Sequence, residues 1–149
     1  MIYLASDHAG FELKNKIRDY LLSKNLEVED CGPESFNPGD DYPDLIYPAA
    51  EKVAQNPGSK GIIFGKSGEG EALVANKVDH IRAVVYYGGN PEVVKLSREH
   101  NDANVLSIGA GFVKEEEARK IVEEWLKQDF EGGRHQRRLE EIEKIEEKE

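Results

Sequence analysis

GIIFGKSGEGEALVANK, residues 61–77, carries the reading of the fold. Gly61 to Phe64 is a short continuous apolar run, the pattern of a strand buried on both faces. Gly65 to Gly70 is glycine-rich, and Ala72 to Lys77 reads as a short helix. A buried strand that turns through glycines into a helix is part of a β-α-β unit. The same alternation continues in both directions. Upstream, Ile2 to Ala5 is an apolar run, and Phe11, Leu13, Ile17, Tyr20, Leu21 and Leu22 recur at helical spacing. Leu26 to Cys31 alternates like a half-buried strand, Glu34 to Asp41 is a loop, and Leu45 to Val53 is helical. Downstream, Arg82 to Tyr87 and Val105 to Ile108 are strands, and Pro91 to Glu99 and Glu115 to Lys127 are helices. A charged final helix follows the break at Gly132-Gly133. Five strands separated by helices predict a three-layer α/β/α, doubly wound, Rossmann-like fold around a five-stranded parallel sheet.

The chain has 149 residues, which fits one domain, residues 1–149. At that length a core buries about 70% of the unfolded chain's surface. The charge balance is −10 and the pI about 5.0, which disfavours nucleic acid and anionic membrane as partners. No apolar run approaches the roughly 20 residues that span a bilayer. MIYLASDHAG lacks the basic start of a signal peptide, and the single Cys31 cannot form an intramolecular disulfide. A cytoplasmic protein is the expectation.

In doubly wound folds ligands bind at the carboxyl ends of the strands. That directs attention to residues 6–10, 32–42, 65–71, 87–90 and 109–112. Asp7 and His8 follow the first strand; Asp7 fits either a ligand contact or a helix cap. In Gly65-Lys66-Ser67-Gly68-Glu69-Gly70-Glu71 the glycines let the backbone approach a ligand, Ser67 offers a hydroxyl, and a helix N-terminus follows. The arrangement suits an oxyanion or phosphate. It is neither a Walker A loop nor a dinucleotide fingerprint. Glu69 and Glu71 also fit as ordinary first-turn acids. His100-Asn101-Asp102-Ala103-Asn104 is richer in polar residues than a turn needs, although Asn and Asp are common turn residues. Arg134 and Arg138, one helical turn apart, can clamp a phosphate or pair with nearby glutamates. Leu139, Ile142 and Ile145 form an apolar stripe that needs a partner surface.

Together these segments closely resemble the ribose-5-phosphate isomerase B family, with its allose- and galactose-6-phosphate isomerase relatives. The pieces are SDHAGFELK (Ser6–Lys14), DYPD (Asp41–Asp44), GKSGEGEALVANK (Gly65–Lys77), IRA (Ile81–Ala83), EHNDANVLSIGA (Glu99–Ala110) and FEGGRHQRR (Phe130–Arg138). They occur in the family's order and cover nearly the whole chain. The resemblance implies a sugar-phosphate isomerase without metal or cofactor. It also implies a homodimer or dimer of dimers with shared active sites, the tail 134–149 reaching the partner subunit. Two departures stand out. Many members carry a catalytic Cys where this chain has Gly65; a second branch uses a Glu that falls on Glu71. Members usually have an Arg that helps hold phosphate where this chain has Gly111.

Aldose–ketose interconversion moves a proton between C1 and C2 through an enediolate, which needs a base and oxyanion donors. Glu71 is the expected base, held ionised by the helix dipole until bound sugar desolvates it. Ser67 and the loop N–H groups of Gly65, Lys66, Gly68 and Gly70 face the oxyanion and substrate. By resemblance, His100 assists ring opening with Asp7 nearby, and Asn101 and Tyr42 hold sugar hydroxyls. His8, with Arg134 and Arg138 from the other subunit, takes the phosphate. The expected substrate is ribose 5-phosphate. The competing reading is a sugar-phosphate-binding or regulatory subunit on the same fold, inactive alone.

Overall fold

The structure, a computed structural model, describes residues 1–148. Its elements in chain order are β1 (Ile2–Ser6), α1 (Phe11–Ser23), β2 (Val28–Asp30), α2 (Tyr42–Gln55), β3 (Lys60–Gly65) and α3 (Glu69–Ala75). They continue with β4 (Ala83–Tyr86), α4 (Glu92–Glu99), β5 (Val105–Gly109), α5 (Glu115–Lys127) and α6 (Arg134–Glu147). The strands form one all-parallel sheet in the order β2-β1-β3-β5-β4. The three-layer α/β/α architecture expected from the alternation is the one observed.

Side chains on alternate strand positions divide the core in two. Leu4, Ile62, Phe64, Leu106 and Ile108 face a layer containing Leu13, Ile17 and Leu21 of α1, Val94 of α4, and Ile121, Val122 and Trp125 of α5. Tyr3, Ala5, Ile63 and Val105 face Ile46, Ala49 and Val53 of α2 and Ala75 of α3. The α1 spacing i, i+4, i+8 puts its three apolar residues on one stripe, and each is nearly inaccessible. Burying such a side chain stabilises the fold by about 1.5–3 kcal/mol.

The layering gives every crossover the same hand. From β1 to β2 and from β4 to β5 the chain steps one way across the sheet through α1 and α4. From β2 to β3 and from β3 to β4 it steps the other way through α2 and α3, on the opposite face. Direction and face reverse together, as the rule for parallel sheets requires. The connections diverge between β1 and β3, so their carboxyl ends open a crevice at a topological switch point.

Helix starts differ most from the sequence expectations. α3 begins at Glu69 rather than Ala72, because Gly68, at φ 85°, makes the turn itself and Ser67 Oγ accepts the Glu69 N–H at 3.2 Å. α2 begins at Tyr42 rather than Leu45, since Pro43 falls in the first turn, where no N–H is required of it. β2 is shorter than 26–31, and Cys31 lies just beyond it, its N–H still donating to Leu4 O at 2.7 Å. Lys14 is completely buried, but its ammonium donates to Asp30 at 2.8 Å and to Pro33 O at 2.8 Å, which pins β2's end to α1. Leu139 of α6 is buried against its own chain, whereas Ile142 and Ile145 stay exposed. The stripe expected to meet a partner is therefore divided: its first residue holds the tail onto its own body. Among the described residues no helix is long and apolar enough to cross a membrane.

Candidate active site

The carboxyl ends of β1 and β3 bring Asp7, Gly65, Gly70, Glu71 and Tyr42 together. Glu71, in the first turn of α3, turns its carboxylate back toward β3. A Cβ placed on Gly65 would overlap that carboxylate directly. Glycine at 65 is thus what makes room for the glutamate. The Tyr42 ring lies against Gly70, whose absent Cβ would stand 2.8 Å from Tyr42 Cζ. α1 comes close as well: a Cβ on Gly10 would meet Phe64 within 2.6 Å.

Glu71 is 4% exposed. Burial raises its pKa above the ordinary value, and the nearby Asp7 charge raises it further; the N–H groups of Glu71 itself and Gly68 oppose this. The upward shift expected from bound sugar is thus already begun by the protein's own burial of the group. Desolvation by the protein outweighs the two N–H bonds to the carboxylate. Asp7 accepts the Gly10 N–H at 3.1 Å, so it serves as a turn cap while also facing Glu71. The Ser67 hydroxyl is engaged with Glu69 N–H; the N–H groups of Ser67 and Gly70 have no acceptor among the described residues.

His8 sits at the rim. Its Nδ1 bonds Asp40 Oδ1 at 2.8 Å, and its backbone N–H donates to the same oxygen at 3.2 Å. The hydrogen bond to Asp40 raises the His8 pKa against the lowering effect of burial, with a further contribution from Asp7. Asp40 is a residue the sequence reading missed, since it lies in a turn-rich loop with no periodic signal. Lys66 is exposed, and a Cβ on Gly111 would stand 3.0 Å from Lys66 O and 3.1 Å from Lys66 Cγ. Lys66 therefore covers the place where a side chain at 111 would begin.

The remaining candidates lie at the other end of the sheet. His100 caps the C-terminus of α4, and Asn101 follows it, exposed. Asn104 O accepts the Gly61 N–H at 2.8 Å, which fixes this turn at the amino ends of β3 and β5. A five-residue strand such as β5 is about 15 Å long. Within one chain, then, His100 and Asn101 are not brought to Asp7 and Tyr42. The reason is topological: α4 runs antiparallel to the strands and delivers its last turn to their starting ends. Asp102 and Asn104 prove structural. Asp102 pairs with Arg98 at 2.9 Å, and Asn104 Oδ1 accepts the Arg82 N–H at 2.7 Å.

Arg134 and Arg138 share this end, on the first turns of α6. Both are exposed, and neither makes an ion pair among the described residues. The alternative of pairing with Glu140 or Glu141 is not realised. His135, between them, is buried and stacks on His100 with ring centroids 4.2 Å apart and planes at 13°. Burial, then His100 and Arg134, lower its pKa. Sequence reasoning gave His135 no part; its i+35 separation from His100 carries no local signal. Cys31 is half-buried, and burial pushes its thiol up to about 11, the opposite of an activated nucleophile.

Comparison with known proteins accords with this geometry. Residues 2–142 match the family model described as Ribose/Galactose Isomerase. The chain is 43% identical over 138 residues to a probable ribose-5-phosphate isomerase B of Mycoplasma pneumoniae, covering 93% of this chain and 90% of the relative. It superposes on the crystal structure of ribose-5-phosphate isomerase B from Mycoplasma genitalium with bound ribulose-5-phosphate. There the TM-score is 0.95 at 40% identity, covering 99% of this chain and 97% of that one. The ribose-5-phosphate isomerase B of Clostridium thermocellum gives a TM-score of 0.90 at 42% identity, with 99% and 97% covered. With its glycine-rich turn, buried glutamate and nearly full-length match, the chain belongs to the ribose/galactose isomerase family.

Proposed function

We propose that the protein interconverts ribose 5-phosphate and ribulose 5-phosphate, with Glu71 as the base. The observation that carries this reading is the Glu71 carboxylate lodged in the side-chain space of Gly65, at the switch point of the sheet. It also removes one ground for an inactive subunit, because the position without Cys is filled by another base. The relatives' names, and the bound ribulose-5-phosphate in one of them, support the substrate.

The chemistry follows. Glu71 removes the C2 proton of the open aldose and returns it to C1 from the same face. Charge develops on O1 in the enediolate, where the unengaged N–H groups of Ser67 and Gly70 and the Ser67 hydroxyl stabilise it; the O2 hydroxyl proton passes to O1 as C1 is protonated, leaving the ketone at C2. A base with a raised pKa is a stronger proton acceptor once ionised. Tyr42 orients a sugar hydroxyl beside Gly70. Lys66, Gly65 and Gly68 line the loop, and His8, held by Asp40, meets the phosphate.

His100, Asn101, Arg134 and Arg138 complete this site only from a second copy, whose amino-end surface docks against the carboxyl-end crevice. The exposure of Asn101, Arg134 and Arg138, with neither arginine in an ion pair among the described residues, supports the arrangement. A homodimer with two shared sites is the smallest closed assembly that satisfies both ends. Residues 1–149 act as one unit, and the tail carries the arginines to the partner. The cytoplasm, where a lone cysteine stays reduced, is the compartment.

The test is complementation. Glu71→Gln and His100→Asn are each made, and then refolded or co-expressed together. In a mixed dimer one site carries both defects and the other carries none. Random mixing therefore restores about a quarter of wild-type activity. A mixture no more active than its components refutes the shared site.

A further inference from the structure

Asp40 faces the His8 ring from the irregular loop before α2. Its Oδ1 accepts two N–H groups of the same residue, the ring Nδ1–H at 2.8 Å and the backbone N–H at 3.2 Å. A carboxylate only accepts, so Nδ1 carries the proton. The Phe36 ring stands across the imidazole, 6.1 Å away and at 84°, with Phe11 beyond it. Nε2 has no partner among the described residues, and the His8 side chain is 37% exposed. Nε2 is the nitrogen left for a ligand.

This pairing decides how His8 can meet an anion. Neutral, with its proton on Nδ1, the ring presents a lone pair at Nε2 and repels a phosphate oxygen. Protonated, it presents a second N–H and a positive charge. Asp40 makes no other ion pair among the described residues, and its Oδ2 is buried without a protein donor. The carboxylate therefore favours the charged ring. Its hydrogen bond raises the His8 pKa above the ordinary 6.5; burial opposes this, and the Asp7 charge adds to it. Lys16, Glu12 and Asp19 of α1 share the hollow beside the ring, but Lys16 pairs with Glu12 and Asp19 with Arg18. A sugar phosphate becomes a dianion above a second pKa of about 6. An unaided histidine loses its proton close to that pH, so dianion and imidazolium would coexist little. Asp40 extends their overlap upward.

We propose that Asp40 is a positioning residue for phosphate binding, holding His8 as an Nδ1 donor so that it grips the phosphate dianion only as the imidazolium, and keeping it in that form at neutral pH. This rests on the reading of His8 as a phosphate contact. It makes substrate affinity, rather than turnover, the quantity that falls as the pH rises.

Proton NMR of the full-length protein without sugar phosphate reads the His8 titration directly. Asp40→Asn keeps the shape and an acceptor but removes the charge, so the His8 midpoint should move to lower pH while that of the exposed His80 stays. Glu34→Gln, which removes a charge from an exposed position of the same loop, should leave His8 unmoved. Calorimetry at pH 7.5 should show ribose 5-phosphate binding weakened about three- to tenfold by Asp40→Asn, the difference between a charge-assisted and a neutral hydrogen bond. The gap should narrow at pH 6, and Asp40→Ala, which also frees the ring, should lose more. In the isomerase assay the loss should fall on KM rather than kcat. A His8 midpoint unchanged by Asp40→Asn overturns the inference, as does unchanged affinity at pH 7.5. A protein that binds ribose 5-phosphate in this pH-dependent way without isomerising it would refute the proposed function and uphold the role of Asp40.

Discussion

The two ends of the sheet are built differently. At the carboxyl end, Asp7, Glu71 and Gly65 are buried, and the Glu71 carboxylate fills the side-chain space of Gly65. At the amino end, His100 is half-exposed, and Asn101, Arg134 and Arg138 are exposed. The first region is a finished pocket that sets a proton affinity. The second is a set of groups suited to grasping, in which Asn101, Arg134 and Arg138 make no side-chain hydrogen bond or ion pair among the described residues. Proton transfer demands fixed geometry and low polarity, while capture of a charged sugar demands reach. One chain supplies both, but about a strand's length apart.

The sharpest way to break this contrast is at the base. Glu71→Gln keeps the shape and removes the basicity, so kcat should fall by about 10²–10⁴-fold, with Glu69→Gln near wild type. A loss under about tenfold would move the base elsewhere. In the unmodified enzyme, the acid limb of kcat/KM should lie above the ordinary carboxylate value of 4.5, since Glu71 must be ionised and its pKa is raised. Stability has the opposite sign. A buried carboxylate with a raised pKa destabilises the fold at neutral pH, an effect that fades as the pH falls through the folded pKa and is gone below the unfolded value. Glu71→Gln should therefore raise Tm at pH 7 and lose that advantage near pH 4.

The grasping end gives the next largest effects. Arg134→Ala and Arg138→Ala should each weaken substrate affinity about ten- to hundredfold, because a charge-assisted hydrogen bond contributes roughly 1.5–3 kcal/mol. Stopping the chain at Gly133 removes both arginines together with Leu139, Ile142 and Ile145. Sedimentation should show a weakened dimer; unchanged mass and affinity would detach the tail from the site.

Smaller effects test the seam between the regions. Gly111→Arg must push past Lys66, whose carbonyl and Cγ crowd the new Cβ. If Lys66 supplies the cation that position 111 lacks, Lys66→Ala should raise KM several-fold, and Lys66→Ala with Gly111→Arg should recover part of it. The smallest expected effect is none: alkylating Cys31 under native conditions should leave turnover unchanged, as befits a thiol pushed up to about 11. Rapid inactivation that substrate prevents would reverse that assignment.

Much of this was legible in the sequence, for local reasons. The run Gly61–Phe64, the glycines at 65, 68 and 70 and the periodicity of α1 and α5 are short-range signals. They gave the layers and the position of Glu71. What escaped depends on distant pairing. No pattern in Val105–Gly109 says that β5 inserts between β3 and β4. Asp40 reaches His8 across 32 residues from an irregular loop. Leu139 lies on a stripe that looks continuous with Ile142, and only the packed body decides which of them is covered. His100 was half legible: standing before β5 places it at the amino end, yet resemblance alone set it beside Asp7.

The overlap of Gly65 with Glu71 also constrains how such a protein can change over generations. Any side chain introduced at 65 collides with the carboxylate at 71. A thiol base at 65 therefore requires the glutamate at 71 to leave the position it holds here. A lineage that passes from one to the other by single substitutions crosses a sequence in which the glutamate is turned aside by the new side chain, or one with neither base. The two branches should accordingly persist as separate lineages, with intermediates rare and poorly active. Position 65 reports the branch before any other residue is read.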